Sequence, residues 1–143
     1  MSDLSPRNSK TIEYTSVGGQ VYTLVLGTAT GEIGVYRTIL RQHAMDEEEA
    51  AEKAAGFTSA DELDLRQASM RVLHTLMYPS MMSCVISQTG FEHWPLKYEE
   101  FKELDEELIA EWEVATFELN PHWRPVPQTK EAARKKATRS TRD

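Results

Sequence analysis

The sequence predicts a mainly α-helical domain in which an N-terminal β-hairpin packs on a small bundle of about four to five helices; an α+β fold is the alternative. Two patterns carry this prediction. Between residues 12 and 26, apolar and polar residues alternate on either side of a Gly-Gly pair, which is typical of a hairpin. Between residues 30 and 119, apolar residues recur largely at intervals of three or four, as on the buried side of a helix.

A Gly-Gly pair between two strand-like segments predicts the hairpin. Gly18 and Gly19 tolerate the positive φ angles that tight turns require. Ile12 and Tyr14 alternate with polar residues before the turn, and residues 21–26 are rich in β-branched and aromatic side chains after it. Because two strands alone are marginally stable in water, we expect the apolar side of the hairpin to lie on helices.

A first helix is predicted to begin near Thr30, with Glu32 in its first turn. Its apolar side is expected to carry Ile33, Tyr36, Ile39, Leu40 and His43. Residues 46–56 are strong helix formers with almost nothing apolar beyond alanine, and Gly56 is a natural stop. This run is interpreted as a solvated helix or as a mobile linker.

The middle of the chain predicts two more helices. Residues 59–62 have the pattern of a capping box, and the apolar residues that follow keep helical spacing as far as Met77. Proline lacks a backbone N–H, so we expect Pro79 to break this helix. The apolar run 80–87 is then predicted to form a short buried helix.

Residues 91–123 contain all three tryptophans of the chain in an acidic, amphipathic segment. Asp105 is the predicted N-cap of a long helix that ends at Asn120. The apolar face of this helix carries Leu108, Trp112, Ala115 and Leu119, and a shorter helical face before it carries Tyr98, Phe101 and Leu104. We expect Trp112 to pack in the core of the domain.

The chain of 143 residues predicts a flexible arm over residues 1–10, a folded domain over residues 11–127 and a basic, disordered tail over residues 128–143. The last fifteen residues hold six basic and two acidic side chains, so their net charge is +4. Since the whole chain has a net charge of −7, the residues before them have a net charge of −11. Because such an acidic surface repels phosphates, binding of nucleic acid is not expected there.

Catalytic and metal-binding motifs are absent from the sequence. The four histidines lie in separate contexts, and no zinc, nucleophile-elbow or phosphate-loop spacing occurs. Cys84 is the only cysteine, which suits a reducing compartment and predicts a buried, inert thiol. No apolar run is long enough to span a bilayer. We expect a cytoplasmic protein that is not an enzyme and has no cofactor.

Four of the six methionines lie between Met70 and Met82. Thioether side chains are flexible and polarisable, so a methionine-rich groove adapts to varied apolar partners. The candidate partner-binding residues are Met77, Met81, Met82, Val85, Phe101 and Trp123. The alternative is that these side chains fill the core.

The segment from Trp94 to Trp123 resembles the closing signature of the small tail assembly chaperones of long-tailed bacteriophages. In that signature a proline after an aromatic residue leads into one helix, a second helix has the pattern L-x-x-W-x-x-A, and L-N-P-x-W ends it. The matching positions are Pro95, Phe101, Leu104, Leu108, Trp112, Ala115, Leu119, Asn120, Pro121 and Trp123.

The resemblance implies a non-enzymatic role in the host cytoplasm, with absence from the mature virion. It implies two partners, the tape measure protein, which the chaperone would keep soluble, and the tail tube protein, which it would help to recruit. Self-association is left open. The alternatives are a virion accessory protein, such as a connector or tail completion protein, and a small acidic regulatory adaptor.

Overall fold

The computed structural model describes residues 8–56 and 65–124, and these form a three-stranded antiparallel sheet packed on helices. The strands, in the order β1-β2-β3 across the sheet, are β1 Ser9–Thr15, β2 Val21–Gly27 and β3 Val85–Thr89. The helices are α1 Gly31–Ala55, α2 Leu65–Val72, α3 Tyr78–Ser83, α4 Tyr98–Phe101 and α5 Glu106–Leu119. A π-helical turn, Leu73–Met77, joins α2 to α3, and a 3₁₀ turn, Pro121–Trp123, follows α5. With α2, the π turn and α3 counted as one continuous helix, the described residues hold four helices.

The N-terminal hairpin is confirmed. β1 and β2 pair antiparallel with Ile12 opposite Leu24, and Gly19 has the positive φ of 89° that its place in the turn requires. Ile12, Leu24 and Leu26 are buried on the side that faces the helices. β1 begins at Ser9, so the last two residues of the predicted arm belong to the sheet; residues 1–7 and the predicted tail lie outside the described residues.

The predicted buried helix over residues 80–87 is wrong in its second half. The helix ends at Ser83, and the hydrogen bond from the Gly27 N–H to the Cys84 carbonyl, 2.9 Å long, precedes a third strand. Val85 and Ile86 are β-branched and suit a strand, and β2 offers an unpaired edge next to them. A short apolar run has no periodicity that separates strand from helix, so only this pairing decided the outcome.

The predicted break at Pro79 is also wrong, because the helix passes through this residue. The Tyr78 N–H bonds to the Leu73 carbonyl, five residues earlier, which closes a π turn just before the proline. The Thr75 carbonyl, four residues before Pro79, accepts a hydrogen bond from the Arg41 Nε at 3.0 Å instead of from a backbone N–H. An arginine of α1 thus supplies the donor that proline lacks.

Helix α1 begins as predicted and is longer than its apolar pattern suggests. The Thr30 hydroxyl accepts a hydrogen bond from the Ile33 N–H at 3.1 Å, and Gly56 caps the other end at a φ of 81°. The acidic run 46–56 is therefore helix and not linker. Ion pairs to the next helix, such as Glu52 with Arg71, hold it. The predicted capping box over residues 59–62 lies outside the described residues.

Trp112 is fully buried in the core, as expected. Its indole Nε1 donates to the Met81 carbonyl at 2.8 Å, and the ring centroids of Phe101 and Trp94 lie 5.4 and 6.3 Å away. Asp105 directly precedes α5 as predicted, but its carboxylate makes no capping bond. Instead it accepts a hydrogen bond from the Tyr14 hydroxyl at 2.8 Å, which ties α5 to the hairpin.

Candidate functional site

The predicted methionine-rich partner groove is not an open surface in this fold. Met81, Met82, Phe101 and Trp123 are at most 7% exposed and lie in the core, and Met77 and Val85 are half-buried against it. The reason is that α3 packs against α1 and also against α5, so Met81 and Met82 are enclosed. The core-filling alternative therefore describes these six side chains, and their contact with a partner stays untested.

Two residues of the L-N-P-x-W signature, Asn120 and Trp123, fix the C-terminal end of α5 to the rest of the fold. Asn120 is fully buried; its Oδ1 accepts from the Ala29 N–H at 2.7 Å, and its Nδ2 donates to the Gly27 and Thr116 carbonyls at 3.3 Å. One side chain thus satisfies backbone groups of the β2–α1 connection and of α5 itself. These bonds hold the C-terminal end of α5 against the sheet.

Trp123 connects the residues after α5 to helix α1. The Arg37 guanidinium of α1 lies 4.6 Å from the centroid of the Trp123 ring, and the Arg37 Nε donates to the Ser80 hydroxyl at 2.8 Å. Arg37 therefore joins α1, α3 and the residues after α5. The sequence signature consists of residues that position helix α5.

A groove of about 590 Å³ lies between β1 and the outer side of α5. Its floor is formed by Ile12, Ala110, Val114 and Ala115, and its rim by Lys10, Thr11, Glu13, Glu111 and Glu118. Val114 is 52% exposed although it is an aliphatic residue in the middle of a helix. The exposed apolar surface of this groove is provided by Val114 and Ala110, since Ile12 and Ala115 are buried. It lies beside a charged rim, and we take the groove as the candidate functional site.

The electrostatic potential around the groove is negative. Of the four ionisable rim residues three are glutamates, and Lys10, the only basic one, pairs with Glu118. Next to the groove the pKa of Tyr14 is raised to about 12, first by the hydrogen bond to Asp105, then by loss of solvation, and further by the charges of Asp105, Glu107 and Glu111. A cationic group is therefore favoured at this edge, and an anionic one is repelled.

A second cavity, of about 300 Å³, surrounds His74 in the π turn. The buried His74 ring has its Nδ1 2.8 Å from a Glu48 carboxylate oxygen and its Nε2 3.8 Å from Glu47, and it stacks on Tyr98 at 4.0 Å. Both ring nitrogens face carboxylates of α1. The arrangement joins α1, the π turn and α4.

The Cys84 thiol is buried, as predicted. Its Sγ lies 3.6 Å from the Thr116 hydroxyl, and burial raises the pKa of the thiol to about 11. At neutral pH the thiol is protonated and therefore a poor nucleophile. Across residues 8–56 and 65–124, no group of three or more His, Cys, Asp or Glu side chains is arranged to hold a metal ion. No helix in the same ranges is long and apolar enough to cross a membrane.

Sequence reasoning did not predict the groove, and it assigned part of the apolar face of α1 incorrectly. Ile39 and Tyr36 were placed on the core side of α1, yet they are 49% and 36% exposed, while the half-buried side includes Ile33 and Leu40. Val114 stands off the buried stripe of α5 among glutamates, and that displaced aliphatic residue is the one sequence signal that could have marked the groove.

Comparison of the chain with protein-family models, with curated proteins and with solved structures found no match. The resemblance to tail assembly chaperones therefore stays a prediction.

Proposed function

We propose that the protein is a non-enzymatic assembly chaperone that holds an apolar segment of a client protein in the groove between β1 and α5. The observation that carries this proposal is the exposed aliphatic floor around Val114 beneath an acidic rim. Apolar surface binds an apolar segment by removing both from water, and the surrounding charge keeps the complex soluble.

The identity of the client follows from the resemblance. The client is the tape measure protein of a long-tailed phage, held soluble in the host cytoplasm while tail tube subunits are recruited to it. The signature and the groove share one helix, because Asn120 and Trp123 hold the end of α5, which carries Val114. Many weak groove contacts along a long client would give avidity while each remains easy to release.

The experiment is coexpression with a tape measure protein, with the soluble fraction of the client as the measurement. Val114→Asp places a carboxylate on the groove floor and should lower the soluble client to near the level without chaperone, because an uncompensated charge opposes apolar burial. The matched control is Val35→Asp, which changes a valine that is 61% exposed on α1 and does not line the groove.

The control protein should solubilise the client as the unchanged protein does, and both variants should remain folded by circular dichroism. A folded Val114→Asp protein that still solubilises the client would contradict the site. A virion accessory protein would instead remain in purified particles, where a chaperone is expected to be absent.

A further inference from the structure

The outer edge of β1 carries backbone groups that point away from the sheet. The Asn8 carbonyl accepts from the Thr28 N–H at 3.1 Å, and the Ser16 N–H donates to the Gln20 carbonyl at 2.8 Å. These bonds, with the regular register of β1 and β2, place the even-numbered residues in the hydrogen-bonded pairs. The N–H and carbonyl groups of Thr11 and Glu13 therefore point outward, and β1 is an edge strand of the sheet that the described residues form.

The outer edge of β1 forms one side of the groove. Thr11 and Glu13 belong to the groove rim, and the floor beneath them is provided by α5 through Ala110 and Val114. Side chains alternate along a strand, so every second residue of a strand added to β1 would lie over α5, and the residues between would face the solvent. The small Ala110 side chain leaves room for such residues.

A strand fits these features better than a helix does. A helix uses its backbone groups internally, so it would cover the groove floor and leave the outward N–H and carbonyl groups of Thr11 and Glu13 without protein partners. An extended segment provides both backbone pairing and alternate apolar side chains. Glu13 is exposed on the side of β1 away from α5, so its carboxylate favours basic residues among those that alternate with the apolar ones.

We propose that the client segment binds as an added β-strand that pairs with β1, with its apolar side chains on Val114 and its basic side chains toward Glu13, on the side of the sheet that faces the solvent. This inference rests on the proposed function and defines the form in which the client is held. A chaperone that binds an extended segment recognises the client before that segment folds or assembles.

The first experiment measures binding of a fluorescent ten-residue peptide of alternating valine and lysine to the full-length protein. The variant Thr11→Pro removes one outward N–H, and proline is tolerated at such edge positions. The matched control Thr11→Val retains the N–H. We expect roughly tenfold weaker binding or more for Thr11→Pro, because its ring also obstructs the edge, and little change for Thr11→Val. A peptide of the same composition with its valines at helical spacing should bind more weakly than the alternating peptide.

The second experiment needs no variant of the protein. The alternating peptide with N-methyl groups on its central backbone nitrogens keeps the side chains but has lost the donors, so its binding should fall by a similar factor. Equal binding of the methylated and unmethylated peptides, or preference for the peptide with helical spacing, would overturn strand pairing. Binding that appears only after deletion of residues 129–143 would assign the edge to the protein's own basic segment. Dimerisation that Thr11→Pro abolishes, without peptide binding, would assign it to a second copy.

The two proposals fail in different ways. If Thr11→Pro solubilises the client normally while Val114→Asp does not, the groove holds its client in another form and only the strand is wrong. If both folded variants solubilise the client normally, the proposed function of the groove is wrong as well.

Discussion

The two sides of helix α5 differ in how far their apolar side chains are buried. On the core side Leu108 and Trp112 are at most 1% exposed, and the only polar group of the Trp112 side chain is hydrogen-bonded. On the groove side, Val114 comes two residues after Trp112 and lies on the opposite face of the same helix, where it is half exposed between glutamates. The core side stabilises the fold, whereas the groove side leaves apolar surface in water that the fold does not require. If the groove holds a client as proposed, variants on the two sides should change stability and binding separately.

The largest expected difference between the two sides is in stability. Trp112→Ala should lower the free energy of unfolding by about 3–5 kcal/mol, because it removes the central aromatic side chain and leaves a cavity. Val114→Ala should change it by only about 0.5 kcal/mol or less, as at other exposed sites. Chemical denaturation followed by circular dichroism measures both. Similar losses for the two variants would show that the sides of α5 do not differ as described.

A smaller effect on the free energy of unfolding is expected at Asn120, which fixes the C-terminal end of α5. Asn120→Ala leaves the Ala29 N–H and the Gly27 carbonyl without their side-chain partner, which should cost about 1–3 kcal/mol. Asn120→Asp keeps an acceptor for Ala29 and serves to separate the two bonds. Thermal unfolding gives the comparison. If Asn120→Ala unfolds at the same temperature as the unchanged protein, the signature residue does not hold the helix.

An effect confined to alkaline pH concerns Cys84, whose thiol packs against Thr116 on the core side of α5. Burial raises the pKa of this thiol from 9.0 to about 11, so the native state retains the proton that the unfolded state releases. The contribution to stability is complete below pH 9 and is lost between pH 9 and pH 11. The difference in unfolding free energy between Cys84→Ala and the unchanged protein should shift over this range in favour of the variant.

Thiol labelling at pH 8 provides an independent check on the same residue. The buried Cys84 should react much more slowly in the native protein than in denaturant. A native labelling rate equal to the denatured rate would mean that the core side of α5 opens to solvent.

Local signals predicted the elements whose cause is local. Thr30 and Asp105 immediately precede helices α1 and α5, and Gly19 occupies the hairpin turn, because caps and turns depend on a few neighbouring residues. The groove could not be predicted in this way. It needs β1 and α5, about a hundred residues apart in the chain, to lie side by side. The signature residues lie on the helix that carries Val114, but none of them marks the exposed side of that helix.

The sequence by itself determined the hairpin, the start of α1, the extent of α5 and the burial of Trp112, because each follows from turn chemistry or from apolar spacing within one segment. Only the tertiary structure decided that Val85–Thr89 is a strand, that Pro79 lies within a helix and that Met81 and Met82 are enclosed. Each of these depends on a partner distant in the chain: the edge of β2, the Arg41 side chain, and α1 with α5. Spacing along a segment specifies which residues share a face, and packing between segments specifies which face meets the solvent.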